Sequence, residues 1–245
     1  MNDIGIEWLG DRALLLRVGD GIDAESNARV HALAKSLRAA ELPGVLDLVP
    51  AYASITVHYD PHAWSDVGSD MPPGERLAAR LSALARRVSS SATSDATDSA
   101  RGIVVEIPVC YGGEHGPDLA DVARLARVSK EEVIARHVSG DYLVAMLGFA
   151  PGFPYLLGLD SMLHTPRRAN PRTRVPAGSV AIGGAQTGIY PRELPGGWQI
   201  IGCTPLILFD AARNPPALLA PGQRVRFSAI DAGEFTNLQA SSSRT

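Results

Sequence analysis

Lysine is nearly missing from this chain: only Lys35 and Lys130 stand among its 23 basic side chains. Codon bias toward Arg is the simplest reading of the scarcity, and the chemical consequence is the same whatever its origin. There is no GxxxxGK[ST] phosphate loop, no Schiff-base lysine in the loop-rich region, and no acceptor for biotin or lipoate. Any phosphate held here is held by Arg forks and backbone N–H groups. Cysteine is almost as rare. Cys110 and Cys203 are the only two, and their wide spacing makes neither a metal site nor a disulfide framework, so a reducing cytoplasm is the expected setting. His58, His62 and His115 lack ligand spacing, so no metal is expected. No apolar run approaches a membrane span, and the N-terminus reads as no signal peptide. A net charge of −3 and a pI near 6.1 argue against a nucleic-acid binder.

What is present is concentrated. Gly148–Pro205 holds 10 Gly and 8 Pro in 58 residues, so the backbone there is prescribed residue by residue. Phe149, Phe153, Tyr155, Tyr190 and Trp198 are interleaved with them. Between Ser161 and Phe209 stand Arg167, Arg168, Arg172, Arg174 and Arg192 against a single acid, Glu193. Ordered loops, aromatic surface and unpaired guanidinium groups read as a site for a small anionic ligand.

Upstream, Arg12–Val18 reads as a strand. Asp23–Ala40 reads as a helix burying Val30, Leu33, Ala34 and Leu37 at one-face spacing. Val45–Val49 and Ser54–Tyr59 read as strands, and Glu75–Val88 as a second helix. This predicts a small N-terminal α/β domain over 1–88. Residues 89–100, SSSATSDATDSA, have no aliphatic side chain larger than Ala and are expected to be a flexible linker. After the strand Ile103–Val109, a helix is expected at about Asp118–Arg127, and another begins at the capping box Ser129-x-x-Glu132. Short strands at Tyr142–Leu147, Ser179–Ile182, Trp198–Ile201, Leu206–Phe209 and Arg224–Phe227 suggest a closed or nearly closed barrel over 101–236. Residues 237–245 are expected to be a disordered tail. The fold class is therefore α+β.

Within PRRANPRTRVP, extended backbone puts Arg172 and Arg174 on the same side, where two forks could clamp phosphate or carboxylate. The competing reading is that they pair with acids of the N-terminal domain or lie solvated. GGAQTGIYP offers Gly183 and Gly184 for backbone N–H groups converging on an anion, then Gln186, Thr187 and Tyr190, although tight turns use the same residues. Trp198 could stack on a ligand ring or sit in the core. GFAPGFPYL, with Phe149, Pro151, Gly152, Phe153 and Tyr155, reads as an aromatic wall or as core. His137, at a helix end, reads as a cap or a satisfied core residue rather than a general base.

GFAPGFPYLLGLD, TPRRANPRTRVPAGSVAIGGAQTGIYP, PGGWQIIG and TPLILFD also resemble the allophanate hydrolase subunit one / KipI family, which includes the B subunits of 5-oxoprolinase, over nearly the whole chain. GDRALLLRVGD and LVPAYASITVHYDP fit its N-terminal domain, and VEIPVCYGGEHGPDL opens its C-terminal one. The resemblance implies a cyclophilin-like β-barrel and two partner proteins: the 5-oxoprolinase C subunit, of related fold, and the A subunit. It implies ATP-dependent cleavage of 5-oxoproline to glutamate, with ATP, as its magnesium complex, serving as co-substrate rather than as a tightly bound cofactor. Arg172, Arg174 and Gln186 become the expected catalytic groups, with Arg167 and Arg168 beside them. Two alternatives come with the family: a KipI-like inhibitor of a sensor histidine kinase, and a component of a urea-type carboxyltransferase. Cys203 departs from the family pattern, where Arg or another polar residue is common.

Overall fold

The computed structural model describes residues 4–66, 70–91 and 104–242. The chain divides into two compact units, Met1–Arg101 and Gly102–Thr245.

In the first unit, β1 (Gly5–Trp8), β2 (Ala13–Arg17), α1 (Ala24–Ala39), β3 (Val45–Pro50), β4 (Ser54–Tyr59) and α2 (Pro73–Ser91) follow in sequence. The strands form an antiparallel sheet in the order β1-β2-β4-β3. Asp23 caps α1, its carboxylate accepting from the Ser26 N–H at 2.7 Å. The one-face pattern holds: Val30, Leu33, Ala34 and Leu37 are buried with Leu14, Leu16, Ile55 and Val57 of the sheet and Leu77 and Leu81 of α2. That helix runs to Ser91, so 89–91 belong to it rather than to a linker. The remainder of the expected linker lies outside the described residues.

The second unit comprises β5 (Val104–Tyr111), α3 (Leu119–Ala126), α4 (Lys130–Ser139), β6 (Tyr142–Leu147), β7 (Pro154–Leu157), β8 (Arg172–Val175), β9 (Ser179–Gly183), β10 (Gln186–Ile189), β11 (Leu194–Gly196), β12 (Gln199–Cys203), β13 (Arg224–Ile230) and α5 (Ala232–Ser242). Seven strands close a barrel in the order β10-β7-β6-β13-β5-β12-β9, while β8 and β11 form a separate ribbon. Closure is made by β13, which lies parallel to β5 from Arg224 opposite Val104 to Ile230 opposite Cys110. Ser129 caps α4 by accepting from the Glu132 N–H, whereas the Glu132 carboxylate turns to Arg136 at 2.6 Å. Two expectations are corrected. Leu206–Phe209 forms no strand and contributes only an isolated bridge, Phe209 to Ala217. Residues 237–242 continue α5 instead of a disordered tail, the helix being started by Asp231, whose carboxylate accepts from the Glu234 N–H.

Candidate functional site

The wall made by β7, β10, β9 and β12 has two faces, and the candidate residues divide between them. Side chains alternate along a strand, so neighbours in the sequence part company. Inside the barrel, Ile182, Ile189, Val180 and Ile201 join the main core. On the other face lies a smaller aromatic layer of Phe153, Tyr190 and Trp198 with Ala150, Val175, Ala181 and Ile200, against which Tyr155 packs. Phe153 is its hub, edge-on to Tyr190 at 5.1 Å and to Trp198 at 5.8 Å. The ribbon covers part of this layer through Val175 and Leu194, which are paired across β8 and β11.

The glycines expected to hold an anion do something else. A Cβ at Gly183 would lie 2.6 Å from the Trp198 ring, and one at Gly188, a glycine not among those expected to bind, would lie 3.2 Å from the same ring. These glycines admit the indole. Gly184, at φ +67°, is the exposed corner of the β9–β10 turn. Gln186, at the start of β10 opposite Gly183, is buried.

Thr187 faces the barrel interior and belongs to a hydrogen-bonded chain. Its hydroxyl donates to the Ala181 carbonyl at 3.0 Å, so it accepts from Nε2 of His137, 3.1 Å away. That leaves Nδ1 to accept from the Tyr111 hydroxyl at 2.8 Å. The imidazole is neutral, fully buried and packed on Phe227 and Tyr142. Burial pulls its pKa down to about 3. His137 is thus a satisfied core residue.

The arginines separate as sharply. Asp118, just ahead of α3 and 2% exposed, accepts from both Nη atoms of Arg172 at 2.7 and 2.8 Å, from Arg168 at 2.8 Å and from the Ile200 N–H at 2.8 Å. Burial alone would raise this carboxyl. The Arg172 and Ile200 hydrogen bonds and the two cations overcome it and hold the pKa below the usual range. The Arg172 fork is therefore taken, and the expected pair of free forks is not formed. Arg174 stands exposed, 3.6 Å from Glu193. The partner of Arg172 is an acid of its own unit.

Arg167 is different. It is exposed, its guanidinium lies 5.8 Å above the Trp198 ring, and no acid among the described residues pairs with it. Burial raises the Tyr155 phenol and the Arg167 charge draws it back. Phe149, on the tight loop between β6 and β7, is 61% exposed at φ +68° and edge-on to Phe153 at 5.5 Å. A bulky residue held in the left-handed region and turned to solvent is strained backbone that little packing offsets. Pro151 is exposed beside it, and Gly152, at φ +77°, completes the turn. Arg167 and Tyr155 thus meet at Trp198, while Phe149 borders the same aromatic layer through Phe153. Among the described residues no group of His, Cys, Asp or Glu could hold a metal ion, and no helix is long and apolar enough to cross a membrane.

Asp118 is the residue that sequence reasoning missed. The signal was the arginine excess itself, since a buried acid had to come from outside the segment.

This barrel and aromatic layer define a known class: the chain belongs to the carboxyltransferase domain family, subdomain C and D, which matches residues 4–219. It is 45% identical over 231 residues to the 5-oxoprolinase B subunit of Bacillus subtilis, covering 94% of each chain. It is 44% identical over 219 residues to the 5-oxoprolinase B subunit of Escherichia coli O157:H7, covering 89% of this chain and 93% of that one. Among solved structures, TTHA0988 is 41% identical at a TM-score of 0.73, with 90% of this chain matched to 40% of that longer one. The Kluyveromyces lactis urea carboxylase shares the fold at a TM-score of 0.75 and 19% identity, over 98% of this chain and 23% of that one.

Proposed function

We propose that this chain is the B subunit of an ATP-dependent 5-oxoprolinase, which opens the lactam of 5-oxo-L-proline to give L-glutamate. The observation that carries the reading is its 45% identity, over 94% of both chains, with a protein of that name. Hydrolysis of an unstrained lactam is drawn forward by coupling to ATP. Phosphorylating the amide oxygen makes it a leaving group, and the task left to the protein is to position and stabilise developing negative charge.

We assign that task to the edge where Arg167 lies over Trp198. Arg167 is the arginine of the segment that has no acidic partner among the described residues and is set over an aromatic ring, where it can meet an anion, with Tyr155 packed against the same Trp198. Arg168 and Arg172 act behind it: through Asp118 they tie the loop preceding β8 to the start of β12. Gln186 and Arg174, expected as catalytic groups, have no contact that favours the role. In this reading ATP and its magnesium are assigned to surfaces completed by the partner A and C subunits, in keeping with the described residues offering no group of His, Cys, Asp or Glu that could hold a metal ion. The proposed setting is the cytoplasm.

The test is reconstitution. The chain is co-expressed with candidate A and C subunits, and 5-oxoproline-dependent ATP hydrolysis and glutamate release are measured with each one omitted in turn. Activity that needs all three supports the proposal. A complex inert toward 5-oxoproline but active in biotin-dependent carboxyl transfer defeats it.

A further inference from the structure

Cys110 and Cys203 are far apart in the sequence and adjacent in the fold. Strand β5 pairs antiparallel with β12, placing Cys203 directly opposite Cys110 and Gly202 opposite Tyr111. Residues opposite one another on such a ladder point to the same face. The face can be identified. Val109 and Tyr111, the neighbours of Cys110, turn toward the barrel core, so Cys110 turns outward. A Cβ at Gly202 would meet Val109 and the Tyr111 ring, so Gly202 faces inward and Cys203 outward. A register slip between Ile200 and Gly202 against β9 sets this phase.

The backbone spacing admits a covalent bond. Two positions along, the Gly112 N–H donates to the Ile201 carbonyl. The alternation of the ladder then makes the cysteines a hydrogen-bonded pair, with Cα atoms about 5.5 Å apart, inside the roughly 4.4–6.8 Å that disulfides span. Their Cβ atoms, at the wide end of the cross-strand range, must draw together by about 1 Å for the bond to close. Both side chains are free thiols. Cys110 is 7% exposed. Cys203 is half-buried, its S–H directed at the Ala177 carbonyl 3.6 Å away. A small reagent therefore meets Cys203 first, with Cys110 behind it.

We propose that Cys110 and Cys203 are a cross-strand dithiol, a modification site that closes to an intramolecular disulfide when a low-molecular-weight disulfide oxidises it. The Cys203 thiolate attacks one sulfur of the small disulfide and expels a small thiolate, leaving a mixed disulfide. The Cys110 thiolate then attacks the Cys203 sulfur and expels the second. The two cysteine protons pass to the departing thiolates and two electrons to the reagent, giving a protein disulfide and two small thiols. Closure is slow at neutral pH. Burial, with Cys110 nearby, pushes the Cys203 thiol up to about 11. Burial also raises Cys110, with Asp231 and Glu114 adding to the effect. The bond therefore records sustained oxidation rather than a brief pulse.

The full-length chain is incubated with oxidised glutathione at mildly alkaline pH. Both thiols should vanish on titration of the denatured protein. The mass should fall by two hydrogens with no glutathione retained, and a peptide joining Cys110 to Cys203 should appear. Because the loop enclosed is long, the Tm should rise by roughly 5–15 °C and return on reduction. Cys110→Ser and Cys203→Ser should each abolish the cross-linked peptide and the rise in Tm. In a second arm the chain is refolded from denaturant in the same buffer, which removes access as an obstacle. Stable glutathionylation of Cys203 beside a free Cys110, a disulfide-linked dimer, or two free thiols after refolding overturns the proposal.

Discussion

Thr187 and Gly188 are consecutive on β10, yet one belongs to the barrel interior and the other to the aromatic layer outside. On the inner face the polar groups of the His137 chain answer one another: Tyr111 donates to His137, His137 to Thr187, and Thr187 to the Ala181 carbonyl. On the outer face the aromatic rings pack on one another, but Arg167 has no acidic partner among the described residues and Phe149 is strained and exposed. The same strands thus carry a closed polar network on one side and unmet interactions on the other. Unmet interactions are where a ligand or a partner can act.

The largest effect is expected at Asp118, which belongs to structure although it touches two of the expected site arginines. Asp118→Ala should cost about 3–5 kcal/mol in denaturant unfolding, because two partly buried cations lose their counter-charge. Arg172→Lys should lower stability and activity together, since a point charge cannot replace the bidentate fork. An Arg172→Lys variant of normal Tm but impaired activity would return Arg172 to the site. Arg167→Ala should behave in the opposite way. Activity of the reconstituted complex should fall roughly 10- to 150-fold, the worth of one charge-assisted contact of about 1.5–3 kcal/mol, at constant Tm.

The inner face is tested by acid. The folded-state pKa of His137, about 3, lies below its ordinary value of 6.5, so the unfolded chain takes up the proton first as pH falls. The stability from neutral burial is fully present above the ordinary value and is lost below it, by about 2 kcal/mol at about pH 5. Unfolding curves across that window should show the loss, and His137→Gln should flatten it. The smallest effect is expected at Phe149. In Phe149→Gly, relief of backbone strain and loss of the Phe153 contact nearly cancel, so stability should move by no more than about 0.5 kcal/mol while activity falls.

Elements whose burial is periodic were legible in the sequence. α1 announced itself through Val30, Leu33, Ala34 and Leu37, and β6 was readable from Tyr142 to Leu147 because its apolar run is continuous. By contrast, β8 and β10 were not legible: RTRV and QTGI carry no strand pattern, and their pairing is imposed by the ribbon and the barrel. The candidate segment was found by composition, but its roles were not. An arginine that meets a ligand and one that meets Asp118 look alike locally when the acid lies 50 residues upstream. Gly183 likewise looked suited to a ligand, when the group demanding space was the Trp198 ring.

The parallel pairing of β13 with β5 sets when this unit can exist at all. On the ribosome β5 is made before the other strands of the barrel and waits, with the edge that β13 will cover unpaired, for a strand that emerges long after it. Every intermediate length of nascent chain presents that edge and the facing edge of β6 to other polypeptides. A unit closed by its two ends also tolerates no shortening from the C-terminal side past Ile230. Shielding of the open barrel during synthesis is consequently expected to favour its correct closure.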